Sequence, residues 1–121
     1  VCPVPPDLRI PVLGLERCLD VLVELGDAPA SRFGDWRAFN APSLAPSAQE
    51  ILAATQRVGA GRRLGRVEFR PDPAVTAIMA TWPRSMRAQQ AEAIGLRAAA
   101  SVEAIARDHL AATARSADGA A

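Results

Sequence analysis

The chain has 121 residues, half of them hydrophobic, and a formal net charge of +1. That length suits one domain or part of one, and the composition is that of a globular protein, not a disordered one. The 14 basic residues are all Arg and are interspersed with Asp and Glu, so no basic stripe tracks a phosphate backbone and no nucleic-acid partner is expected.

Residues 1–8 are Pro-rich and read as a loop. Arg9-Ile10-Pro11-Val12-Leu13 suits a short strand, confined to an edge by Pro11. Leu15, Cys18, Leu19, Leu22 and Val23 recur at helical spacing, which predicts a helix over residues 15–25 with that face buried. Gly26 supplies its left-handed stop. Residues 27–34 form a loop, and residues 36–40 read as a strand. Ser47-Ala48-Gln49-Glu50 is a capping box that opens a helix to residue 58, burying Ile51, Leu52, Thr55 and Val58, with Gly59 ending it. Val67 and Phe69 alternate with charged residues, as in a half-buried strand. Asp72 caps and Pro73 opens the next helix, whose stripe of Val75, Ile78, Met79 and Trp82 ends at Pro83. A short helix over residues 86–94 stops at Gly95. Ser101 caps the last helix, with Val102, Ile105, Ala106 and Leu110 facing inward. Residues 116–121 are expected to be a disordered tail.

No run approaches the ~18 apolar residues of a membrane helix, and Val1-Cys2-Pro3-Val4-Pro5-Pro6 has no feature of a signal peptide. A cytoplasmic location without a membrane partner is expected, and Val1 reads as an internal position of a longer protein. Cys2 and Cys18 stand at no metal or redox spacing and are expected to be free thiols.

Few motifs carry chemistry. Gly59-Ala60-Gly61-Arg62-Arg63-Leu64-Gly65 follows a helix and precedes a strand, the reverse of a dinucleotide fingerprint, so it reads as a turn. His109, the single histidine, has no partner at ligand spacing and reads as a half-exposed helix residue. Ser47 and Ser101 serve as caps, and Asp7, Asp27 and Asp35 are solvated loop carboxylates. Trp82-Pro83-Arg84-Ser85 is different. Trp82 closes an apolar stripe and is expected in the core, and Arg84 projects from the loop after a helix-stopping Pro. Such a guanidinium suits bidentate recognition of a carboxylate.

The series Asn40-Ala41-Pro42-Ser43-Leu44, Ser47-Ala48-Gln49-Glu50-Ile51-Leu52, Pro71-Asp72-Pro73-Ala74-Val75 and Ile78-Met79-Ala80-Thr81-Trp82-Pro83 continues through Ile94-Gly95-Leu96. It closes on Ala100-Ser101-Val102-Glu103-Ala104-Ile105-Ala106-Arg107. In this order and spacing, nearly the whole chain resembles the C-terminal third of the extended short-chain dehydrogenase/reductase family, the NAD-dependent epimerase/dehydratases. It is most similar to the D-erythronate dehydrogenase type. The L-threonine dehydrogenase branch is similar around Thr81-Trp82-Pro83-Arg84-Ser85. Where the family has a Ser-Pro-Arg-Arg-like helix start, this chain has Gly14-Leu15-Glu16-Arg17, matching at Arg17.

The resemblance implies an α/β substrate-binding lobe over residues 1–115, with short strands, four to five helices and the Rossmann nucleotide-binding part absent. It implies a parent protein that oxidises a secondary hydroxyl of a small hydroxy-acid or sugar-acid substrate with NAD, compatible with a homo-oligomer. Trp82, Arg84 and Arg17 are the implied substrate-binding residues. The family's catalysis needs a Tyr that moves the hydroxyl proton and a Lys that lowers its pKa, and this chain contains neither. Catalytic, cofactor-binding and metal-binding residues are therefore expected to be none here. NAD would belong to the parent, through the missing N-terminal Rossmann portion as partner, and the chain alone would be inactive. Two alternatives stay open: the L-threonine dehydrogenase-like or epimerase branch, and a non-enzymatic stand-alone interaction domain. The coding sequence upstream of Val1 discriminates between the two classes.

Overall fold

The structure, a computed structural model, describes residues 1–118, with side chains to residue 115. Helices α1 (Leu15–Asp27), α2 (Ala48–Val58), α3 (Pro73–Ala80), α4 (Gln89–Ala93) and α5 (Val102–Asp118) follow one another, with a 3₁₀ turn at Ala30–Arg32. Helix starts obey local chemistry. The Glu50 amide donates to Ser47 Oγ at 3.1 Å and the Ser47 amide donates to Glu50 Oε2 at 2.7 Å, which completes the expected capping box. The Asp72 carboxylate accepts from the amides of Ala74 and Val75 at 2.8 and 3.1 Å, and Pro73 takes the first helical position. The Ala104 amide donates to Ser101 Oγ at 3.1 Å.

Helix ends differ more from expectation. α1 continues through Gly26, which does not adopt a left-handed conformation. α4 is shorter than residues 86–94, and Gly95, at φ +95°, ends it as expected. Gly59 does end α2, but for reasons of space: a Cβ there would lie 2.7 Å from Leu64 Cδ1. α5 runs through Asp118, so residues 116–118 of the expected tail are helical; residues 119–121 lie outside the described residues.

The expected strands do not assemble into a sheet. Among the described residues there are three isolated bridges: Cys2 with Phe69 in parallel, and Arg9 with Ser47 and Val12 with Leu44 antiparallel. Pro11 on one side and Pro42 and Pro46 on the other remove the amides that a longer ladder needs. What survives between these two segments is the pair of bonds between Val12 and Leu44, at 2.9 and 3.1 Å, the Ile10 amide donating to the Pro46 carbonyl at 3.1 Å, and the Ala48 amide donating to the Leu8 carbonyl at 2.9 Å. Residues 36–40 form no strand bridge, and Phe39 packs on Phe33 with ring centroids 5.4 Å apart. The fold is helix-rich with few strand pairings.

α5 packs on α2 and α1. The core is small: Val21, Ala88, Ala91 and Leu96 are buried together, with Leu25, Phe39, Ala41 and Ile94 against them. Three burial expectations are corrected. The stripe of α1 faces outward, with Leu15 72%, Leu19 49%, Leu22 60% and Val23 62% exposed, while Val21 turns in and Cys18 is half-buried. Ile78 and Trp82 are also exposed, so Trp82 does not anchor α3 in the core. Thr55 is exposed, its hydroxyl donating to the Ile51 carbonyl at 2.9 Å. Both cysteines are free. No helix among the described residues is long and apolar enough to cross a membrane.

Candidate functional site

The candidate site is the loop of residues 81–87 between α3 and α4. At its start the Thr81 and Trp82 amides donate to the carbonyls of Ile78 and Met79, both at 3.1 Å, and the Thr81 hydroxyl donates to the Ile78 carbonyl at 2.7 Å. Pro83 has no amide to continue the helix. At its end Ala88 is buried in the core cluster, and Asn40 Nδ2 donates to the Arg87 carbonyl at 3.1 Å. The loop is thus held at both ends while every residue from 81 to 87 is exposed.

Trp82 is 56% exposed, and its indole lies beside two guanidiniums in sequence. Neither Arg84 nor Arg87 makes a side-chain hydrogen bond or ion pair among the described residues. Two uncommitted guanidiniums and an aromatic face on an anchored loop can pair with a carboxylate and cover an apolar stem. Arg87 was not among the residues singled out from the sequence. Its spacing of three from Arg84 within one loop was the signal that could have found it.

Arg17 lies elsewhere. In the first turns of α1, its Nε donates to the Arg97 carbonyl at 2.8 Å, and its Nη1 donates to Glu24 Oε1 at 2.7 Å and lies 3.7 Å from Asp20 Oδ2. The bond it donates to Glu24, ahead of the charges of Glu24 and Asp20, raises the guanidinium pKa above its ordinary value. These contacts tie α1 to the segment after α4, and none joins Arg17 to Trp82 or Arg84.

The chain has no Lys and no Tyr, and residues 59–65 follow a helix, whereas a pyrophosphate cradle follows a strand. Among the described residues no group of three or more His, Cys, Asp or Glu is placed to hold a metal ion.

The fold of this chain matches about a third of the length of solved epimerase and dehydrogenase structures. The nucleoside-diphosphate-sugar epimerase of Agrobacterium tumefaciens superposes with a TM-score of 0.80 at 20% identity, over 89% of this chain and 32% of its own. The GalE-like L-threonine dehydrogenase of Cupriavidus necator superposes with a TM-score of 0.75 at 24% identity, over 93% and 35%. In sequence, the chain is similar to D-erythronate dehydrogenase of Cupriavidus necator, 28% identical over 109 residues. That match covers 90% of this chain and 34% of the relative, so the chain spans about a third of the relative's length. No family model matches. The resemblance to D-erythronate dehydrogenase read from the residues is met by the sequence comparison, and the solved structures share the fold.

Proposed function

We propose that this chain is the substrate-side lobe of a cytoplasmic NAD-dependent dehydrogenase acting on a secondary hydroxyl of a small sugar acid, and that it is inactive alone. A nucleotide-binding portion, packed on the outward stripe of α1, supplies the cofactor site and the proton-transferring groups. The observation that carries the reading is that stripe: four large apolar side chains on one helix face, each half to three-quarters exposed. The confinement of the D-erythronate dehydrogenase match to a third of that protein supports the same division.

In this reading NAD, held by the other portion, accepts the hydride. The lobe contributes recognition only. Arg84 and Arg87 pair with the substrate carboxylate, Trp82 covers the carbon chain, and Arg17 keeps α1 in place against the segment after α4. These contacts are made in ground and transition state alike, so they set KM more than kcat.

The test is complementation. The chain is mixed with a separately produced nucleotide-binding portion of D-erythronate dehydrogenase, and NADH formation with D-erythronate is followed by absorbance. Activity is expected from the mixture and from neither part alone. Sub-millimolar NAD affinity of this chain alone, measured by calorimetry, would show the division of labour to be wrong.

A further inference from the structure

A second site lies away from the loop of residues 81–87. Between α2 and α5 runs a slot of about 260 Å³. Ile51 and Val58 of α2, Ile105 and Leu110 of α5, and Leu64 line it, and all five stay partly accessible. Its walls are held in place. Arg57 Nε on α2 donates to Glu103 Oε1 on α5 at 3.2 Å. Leu64 sits so close to Gly59, which also lines the slot, that a Cβ there would come within 2.7 Å of Leu64 Cδ1.

No Arg, Asp or Glu is among the described residues that line the slot. Neighbouring clefts differ: Arg9, Glu50, Arg57 and Glu103 line one, and Glu16 and Asp108 line another. An ion drawn into the slot would lose its water and meet no counter-charge, so the walls select an uncharged occupant. Two polar side chains stand among the lining residues, Thr55 and His109. The Thr55 hydroxyl donates to the Ile51 carbonyl at 2.9 Å and is spent as a donor. The His109 side chain makes no hydrogen bond or ion pair among the described residues. A neutral imidazole offers one donor and one acceptor. An occupant with one hydroxyl suits it, because a further polar group would stay unpaired between apolar walls. Size follows from volume. An apolar cavity of ~150 Å³ binds benzene, so this slot has room for roughly ten heavy atoms. A ring supplies most of them with no rotamers to freeze, unlike an alkyl chain of equal size.

We propose that this slot binds a small uncharged phenol, its ring and a short alkyl substituent between α2 and α5 and its hydroxyl on His109. The site is independent of the dehydrogenase reading. Its experiment is calorimetric titration of the chain with phenol, para-ethylphenol and para-propylphenol at about pH 8, where a phenol keeps its proton. Para-propylbenzoate and para-propylbenzylammonium serve as anionic and cationic controls. Affinity should rise about fourfold per added methylene along the phenol series. Both ions should bind about tenfold more weakly than para-propylphenol, or not at all. His109→Phe keeps a ring in the wall but removes the hydrogen bond, and should weaken para-propylphenol about two- to tenfold while leaving propylbenzene unchanged. The L19E/L22E variant, altered only on the outward face of α1, should bind para-propylphenol unchanged. In the unaltered chain para-propylphenol should shift the methyl resonances of Ile105 and Leu110, a readout that needs no variant to fold. Absence of binding, equal binding of either ion, indifference to His109→Phe, loss of binding in L19E/L22E, or methyl shifts confined to other residues would each overturn the proposal.

Discussion

The outward stripe of α1 yields the sharpest prediction. At 3.6 residues per turn, Leu15, Leu19, Leu22 and Val23 fall within an arc of about 100°. They are half to three-quarters exposed. Full burial of a Leu or Val stabilises by about 1.5–3 kcal/mol, so covering what remains exposed of all four is worth on the order of 4–7 kcal/mol before the entropy of association is subtracted. The isolated chain is therefore expected to self-associate weakly, in the micromolar to millimolar range. The L19E/L22E variant adds two carboxylates beside Glu16, Asp20 and Glu24, which stops that association. Neither Leu contributes to the buried cluster, and Glu is nearly as good a helix former as Leu, so the fold should lose only the covered share of the two side chains, about 1–3 kcal/mol. Sedimentation velocity over a concentration series and a thermal melt measure both quantities. An unaltered chain that stays monomeric throughout, or a variant whose melt collapses, would refute the reasoning, because the first denies the stripe its stickiness and the second makes it core.

Other expectations follow from single residues. In the complemented enzyme, Arg84→Ala should raise KM about ten- to a hundredfold with kcat little changed, the loss of a charge-assisted bond worth about 1.5–3 kcal/mol; a change within twofold makes Arg84 a surface residue. Trp82→Ala in the isolated chain should cost about 1 kcal/mol or less by urea denaturation, because the ring is more than half exposed. A loss of about 3 kcal/mol or more, the range of a buried Trp, would show that the ring is covered. Ser47→Ala removes the cap of α2 and should cost about 0.5–2 kcal/mol in the same assay. The carboxyl pKa of Glu50 is lowered chiefly by the Ser47 amide, and that of Glu103 chiefly by Arg57. Both favour folding above the unfolded value of about 4.3, and that contribution is lost as pH falls through the lower folded values. The urea midpoint should therefore be level above about pH 5 and drop below about pH 4, with a shallower drop in Glu50→Gln; an unchanged acid limb in that variant would remove Glu50 from the account.

What the sequence made legible was local. Capping is settled within four residues, so Ser47, Asp72 and Ser101 marked the starts of α2, α3 and α5 correctly. Proline is less exact: α3 ends at Ala80 with Thr81 as its cap, so Trp82 lies beyond the helix and Pro83 two residues past the cap. Strand pairing is not local. Residues 66–70 carried the right alternation and residues 9–13 suited a short edge strand, yet their partners offer too few free amides for more than isolated bridges. Of the candidate site, the loop of residues 81–87 could be read from Pro83 and Arg84. That Arg17 would be occupied by Glu24 and the Arg97 carbonyl could not, since the second contact spans eighty residues.

The misplaced face of α1 has a different origin. Helical periodicity reports that one face is apolar; it does not report what covers it. Here α1 has two usable faces: the Val21 and Leu25 side, which meets Ala88, Ala91 and Leu96, and the Leu15, Leu19, Leu22 and Val23 side, which stays half to three-quarters exposed. A helix apolar on both sides is the pattern of an element buried between two bodies. The small alanines that receive Val21 leave little room for larger side chains, so rotating α1 to bury the leucine side would overfill that interface. The outward stripe is therefore not an error of packing that the chain could relieve by turning one helix. It persists as long as the inner contact does, and so it is available to whatever completes the lobe.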